Sequence, residues 1–181
     1  SSFIRLFISI IIFSSIAVDI HYVKKLFLFT ILISLITIFL NLNETYKYRY
    51  IDQIKKIYST KGISYFFKET TYGQHYQVAS KIFKEYPVFG VGIKNFRLES
   101  FNQKYQPDGN WTGGSTHPHQ IHYEFLSETG LFGYACFLIF LLGSLYLSIK
   151  SYLRNKNVYL LSAILFVLST LIPLLPTGSF L

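Results

Sequence analysis

Four stretches of this chain are almost wholly apolar, about residues 3–20, 26–42, 130–149 and 158–175, and a polar stretch, 43–129, separates the second from the third. Each apolar run approaches the roughly 20 residues a helix needs to cross a bilayer core. The second, LFLFTILISLITIFLNL, has no charge and no stripe of polar residues at helical spacing. A helix on a soluble surface shows such a stripe, whereas one surrounded by lipid need not. The third and fourth, LFGYACFLIFLLGSLYLSI and VYLLSAILFVLSTLIPLL, are likewise uncharged. Buried helices of a soluble protein are the alternative, but so many apolar runs leave too little polar surface to cover them. The first run opens near Arg5, which fits a signal peptide, yet no small-x-small cleavage site follows and the next run begins almost at once. The pattern therefore predicts an all-α, polytopic membrane helix bundle. It forms one membrane domain over residues 1–181, with four transmembrane helices and a long helical insert.

Within the insert, ETYKYRYIDQIKKIY and QHYQVASKIFKEY read as amphipathic helices. In the second, Tyr76, Ala79, Ile82, Phe83 and Tyr86 fall at helical spacing, and Pro87 stops it. VFGVGIKNFRLESF then reads as a glycine turn leading into a short helix, and YQPDGNWTGGST as a loop.

Composition sharpens the membrane reading. Of 181 residues, 51% are hydrophobic, 19% aromatic and only 14% charged, against about 25% charged in ordinary soluble domains. Disorder is excluded by the apolar content, and a disulfide scaffold by the single cysteine, Cys136. The net charge of +8 is informative through its distribution. The short connectors HYVKK and KSYLRNKN hold Lys24, Lys25, Lys150, Arg154 and Lys156 without an acid. Short basic connectors stay in the cytoplasm, so the segment 43–129 lies on the other side, which in a bacterium is the periplasm. There, basic residues are interspersed with acids and form no nucleic-acid footprint. The chain lacks Met and opens at Ser1, from which we expect a natural start further upstream.

The densest chemistry is STHPHQIHYEFLSETGLFG, residues 115–133. Pro118 suits the first turn of a helix capped by Ser115 or Thr116. On such a helix His119 and His122 stand three apart, on neighbouring positions. It would run directly into the third apolar run, placing the histidines at the outer membrane surface beside a helix N-terminus that favours anions. Three roles are open to them: a metal site with carboxylates such as Glu124, although no known zinc spacing matches; structural capping; or general acid–base chemistry. Gly90-Val91-Gly92 is no dinucleotide fingerprint, since Asn95 stands where its third glycine belongs. Arg97 fits either a solvated face or, with Arg5, a pair binding a diphosphate; for Arg5 the alternative is snorkelling.

HPHQIHYEFLSETGLFGY resembles the hallmark of the O-antigen ligase and O-antigen polymerase superfamily of bacterial membrane glycosyltransferases. That hallmark is His-Pro-His, then Asn, Gln or Ser, then Gly-x-x-Gly opening a membrane helix. It maps here to His117-Pro118-His119-Gln120 and to Gly130 and Gly133. IFKEYPVFGVGIKNFR is similar to the family's upstream segment. The resemblance covers essentially the whole chain, as the C-terminal half of a longer member with further membrane helices. It implies transfer of an undecaprenyl-diphosphate-linked glycan to a hydroxyl acceptor in the periplasm, by a multi-pass enzyme of the inner membrane whose active site faces the periplasm.

By motif position, the resemblance implies that His119 is the catalytic base, and that Arg97, with Phe101 four residues on, holds the diphosphate. Arg5 matches an arginine that opens an earlier helix, although Ile4-Arg5-Leu6 replaces the family's Ser-Arg-Gly. His117, His122, Gln120 and His75 are second-rank candidates, with Gln74 and Tyr76 beside His75. No cofactor and no metal are implied, since two arginines and a helix N-terminus can offset the diphosphate charge. The expected partners are the carrier-linked glycan, membrane lipids, and an acceptor that is lipid A–core for a ligase or a growing glycan for a polymerase, both in lipopolysaccharide biosynthesis. A non-catalytic membrane subunit or transporter part is the rival of another class. It is disfavoured because the apolar runs carry almost no ionisable residue past Arg5 and Asp19.

Overall fold

The uncharged run from residue 26 folds as its pattern predicts. In the computed structural model, which describes residues 9–11, 13–14, 22–107, 113–173 and 176–181, helix α1 runs Tyr22–Leu42. Its few polar side chains bond back to its own carbonyls: Ser34 Oγ to Thr30 and Thr37 Oγ1 to Ile33, both at 2.8 Å, and Asn41 Nδ2 to Thr37 at 2.7 Å. Such pairing removes free donors from an apolar surrounding. Its large apolar side chains, from Leu26 and Phe27 to Phe39 and Leu42, are mostly exposed. Of the first apolar run only residues 9–11 and 13–14 are described, and these are helical.

Among the described residues every regular element is helical. Residues 44–61 alternate between short α- and π-helical turns, where one amphipathic helix was expected. At Gly62 (φ 58) this run gives way to α2, Gly62–Glu69. Helix α3 follows at Thr71–Glu85, capped by Thr70, whose hydroxyl accepts from Gly73 N at 3.1 Å. Tyr76, Ala79 and Ile82 are buried along the expected face, whereas Tyr86 lies exposed just past the helix end. The core of the outer segment joins Val78, Ala79 and Ile82 to Phe96 and Tyr105, and Tyr76 stacks on Tyr123 at 4.6 Å.

The glycine turn leads into α4, Phe96–Glu99. After the loop, α5 runs Ile121–Asn155 and α6 Val158–Thr170. By length and composition, α5 is the one described helix able to cross a membrane. Helix α6 stops short of the apolar run 158–175 because Pro173 bars its predecessor from helical backbone. Its 13 residues rise only about 20 Å.

Helix α5 breaks at Gly130 (φ 65, ψ −166). A continuous helix would pair Leu131 N with Ser127 O and Phe132 N with Glu128 O. Instead the 87–92 turn supplies partners to all four groups. Leu131 N donates to Pro87 O at 2.8 Å and Phe132 N to Val88 O at 3.1 Å, while Ser127 O accepts from Val91 N at 3.0 Å and Glu128 O from Gly92 N at 2.8 Å. So close an approach requires glycine on both sides. A Cβ on Gly90 would collide with the Glu128 carbonyl, and one on Gly130 with the Val88 carbonyl. Glu128 then caps α4, its carboxylate accepting from Lys94 N at 2.7 Å and Phe96 N at 3.3 Å.

Replacing Gly130 by Ala adds both a backbone clash and left-handed strain, and should destabilise the fold by about 3 kcal/mol or more. Gly143, also in α5, has nothing within 4 Å of an added Cβ, so Gly143→Ala should be neutral or stabilising by up to ~1 kcal/mol. Thermal unfolding of the two variants in detergent checks this, and equal midpoints would contradict the interlock.

Candidate functional site

The site is built where α5 begins. Gln120 has extended backbone (φ −157, ψ 126), and its side-chain oxygen accepts from His122 N at 2.8 Å and Tyr123 N at 3.2 Å. Gln120 is therefore the N-cap, its longer side chain supplying the acceptor oxygen that Ser, Thr, Asp or Asn more often provides. This corrects the expectation that Ser115 or Thr116 caps the helix with Pro118 in its first turn. The Ser115 hydroxyl is engaged with the histidines, so the helix starts later and His119 lies outside it. His119 takes the left-handed conformation, φ 61, which costs a non-glycine residue about 1–2 kcal/mol. Two bonds hold it there: Thr177 N donates to its carbonyl at 2.6 Å, and Ser115 Oγ lies 3.3 Å from its Nε2.

Ser115 also bears on how His119 is protonated. Its hydroxyl lies 3.0 Å from the His117 carbonyl, to which it donates, and 3.3 Å from His119 Nε2. A hydroxyl so oriented is matched by the tautomer with the proton on Nε2 and Nδ1 as the basic nitrogen. In that tautomer His119 presents one defined lone pair.

Helix α3 brings a third imidazole. His75 is 5% exposed and its ring lies 5.3 Å from that of His119, which is also 4.1 Å from His117 and 5.5 Å from Tyr72. Burial, helped by His119 and His117, pushes His75 down to about 4. Burial and then His117 hold His119 below the ordinary histidine value too. Neighbouring imidazoles and burial disfavour the charged form, so His75 and His119 favour neutral rings. Among the described residues, no three His, Cys, Asp or Glu side chains are grouped so as to hold a metal ion.

The remaining candidates separate. Arg97 is exposed on α4, and α4 is tied to the histidine loop through Ser100, whose hydroxyl donates to Ser115 O and accepts from Ser115 N, each at 3.0 Å. Phe101 lies over Gly114, where its ring leaves no room for a Cβ. His122 turns away from the cluster. Its Nε2 lies 2.9 Å from Leu171 O, joining α5 to the end of α6, and its Nδ1 lies 2.9 Å from the hydroxyl of Tyr134 further along α5. Gln74 donates to Lys68 O at 3.0 Å, holding α3 against α2. Arg5 lies outside the described residues. Reading the sequence alone missed Ser115 as the group that orients His119, and Tyr72 as a wall of the cluster. Ser115 precedes His119 by four residues, a spacing that brings side chains together on a helix as well, so the signal is present in the sequence, where it reads as a helix cap.

A family model described as O-antigen ligase matches residues 1–138 of the chain. No curated protein and no solved structure matches it.

The His75 shift has a sign that can be measured. An unfolded His75 titrates near 6.5 and the folded one near 4, so between these values the unfolded chain binds more protons. Stability is full above about pH 6.5 and falls as the pH drops towards 4, by on the order of 3 kcal/mol. Denaturant unfolding in detergent across this range should show a smaller loss for His75→Gln than for wild type. Parallel curves would contradict the buried neutral ring.

Proposed function

Because this chain belongs to the O-antigen ligase family, we propose that it transfers a glycan from an undecaprenyl diphosphate carrier to a hydroxyl acceptor, with lipid A–core as that acceptor. The family is one of membrane-associated, glycosyltransferase-like enzymes that use lipid-linked glycans. The observation that carries the reading is His119: a half-buried imidazole with its Nε2 on Ser115, placed at the entrance of a membrane-length helix.

In this reading Nδ1 of His119 takes the proton of the acceptor hydroxyl as its oxygen attacks the anomeric carbon. The bond from that carbon to the diphosphate breaks, and undecaprenyl diphosphate leaves. Arg97, with Arg5 from the first membrane helix, offsets the charge gathering on the leaving group. The lowered basicity of His119 supports the base role, since a general base must be unprotonated at working pH.

The topology follows the same logic. Arg154 lies in the last turn of α5 and His119 just before its first, so the basic connector and the histidines sit at opposite ends of one membrane helix. With 150–157 in the cytoplasm, His119 faces the periplasm. Four crossings, at about 3–20, 26–42, 130–149 and 158–175, complete this arrangement, and segment 43–129 is the periplasmic insert.

The full-length gene should restore long-chain lipopolysaccharide to a ligase-null strain. Rescue of a polymerase-null strain alone would assign it to chain extension. His119→Ala should lower transfer by about 10²-fold or more, and Arg97→Ala should weaken it more than Arg97→Lys. Transfer should hold level at neutral pH and fall only below the ordinary histidine range. Activity intact in His119→Ala would remove the base assignment.

A further inference from the structure

Helix α5 buries a carboxylate that the reaction described above does not use. Glu124 is 1% exposed, and among the described residues no Lys or Arg pairs with it. Its oxygens instead accept from Ser179 Oγ at 2.7 Å, Phe180 N at 2.9 Å and Leu181 N at 3.4 Å. All three donors belong to residues 176–181, downstream of α6. The Phe180 ring packs 5.6 Å from Phe125 and 5.7 Å from Phe137, seating the segment on the same face of α5. From the other end of the segment Thr177 N reaches the His119 carbonyl at 2.6 Å. The chain 176–181 is thus a strap lying from Glu124 to His119.

A buried carboxylate without a cation is a poor way to hold a surface segment down, because apolar side chains achieve that without desolvating a charge. What a carboxylate adds is direction. Two oxygens that accept from consecutive donors fix the strap's register, and with it where the Thr177 N–H points. That N–H meets the one residue of the site whose backbone is left-handed and needs support to stay so.

We propose that Glu124 is a positioning residue for His119, acting through the strap 176–181 to hold the imidazole in its reactive orientation. The inference rests on His119 being the base. Around that imidazole stand His75 and Tyr72 from α3 and His117 and Ser115 from its own loop, while Thr177 of the strap holds the backbone carbonyl of the same residue. The other carboxylate on this helix end, Glu128, is engaged by Lys94 N and Phe96 N on the far side of the interlock.

The test uses full-length protein in membranes, with Glu124→Ala, Glu124→Gln and Ser179→Ala measured beside His119→Ala. We expect Glu124→Ala to lower kcat by about 10–100-fold, with KM for the lipid-linked glycan within about twofold. Its acid limb should move up towards the ordinary histidine range as His119 loses its cover, and amide exchange over 176–181 should quicken. Glu124→Gln, which keeps one acceptor oxygen, should fall between, and Ser179→Ala should lose the least. Should Glu124→Ala fail to accumulate, the other two variants carry the same comparison. An inactive His119→Ala beside Glu124 and Ser179 variants with wild-type kcat and pH profile overturns the positioning role while sparing the base. A lower kcat with unshifted acid limb and unchanged exchange overturns it as well. Full activity in His119→Ala is the separate failure, that of the base itself.

Discussion

At Gly130 the long apolar helix α5 gives up two of its own hydrogen bonds and remakes all four groups with the 87–92 turn. Unpaired backbone in that setting would cost several kcal/mol per group, so the break and the turn can exist only together. The order of the outer segment follows from this exchange. The turn carries the chain into α4, where the amides of Lys94 and Phe96 are held by Glu128, two residues before the break. Helix α4 in turn holds the histidine loop through Ser100 and Ser115. His119 and Arg97, the proposed base and the proposed diphosphate-binding cation, are therefore set on elements joined to the same helix end.

Around this joint, polar chemistry is kept to one end of an otherwise apolar helix. Glu124, Ser127 and Glu128 are all buried there, and each finds hydrogen bonds from backbone or hydroxyl groups outside the helix or within its own turn. Beyond the break the helix is aliphatic and aromatic as far as its basic last turn. The division suits the proposed substrate, a glycan linked through a polar diphosphate to a carrier whose tail belongs in lipid.

Much of this was legible in the sequence because it is local. The 3.6-residue spacing of Tyr76, Ala79 and Ile82, the stop at Pro87, and the glycine turn into the helix of Arg97 all appear as read. His75 is a second-rank candidate by position alone, and its approach to His119, ring to ring at 5.3 Å, is visible only in the fold. The rest depends on who claims each hydrogen bond. Ser115 is as good an N-cap as Gln120 by composition, but its hydroxyl is taken by His117 and His119, and the cap passes to Gln120. Gly130 and Gly133 were seen as a motif, yet only the folded turn shows why: Gly130 admits the 87–92 backbone, and Gly133 leaves room for the Thr129 side chain. The shortening of α6 and the strap that follows it are likewise tertiary, since nothing in PTGSF announces a contact with Glu124.

The account stands most directly on the state of one ring. Selective ¹⁵N labelling of histidine in the full-length protein, with His119 assigned by difference against His119→Gln, reads both its tautomer and its titration. The structure predicts Nε2 protonated, Nδ1 bare, and a midpoint below the ordinary histidine value. A proton on Nδ1, or a midpoint at or above 6.5, would contradict it.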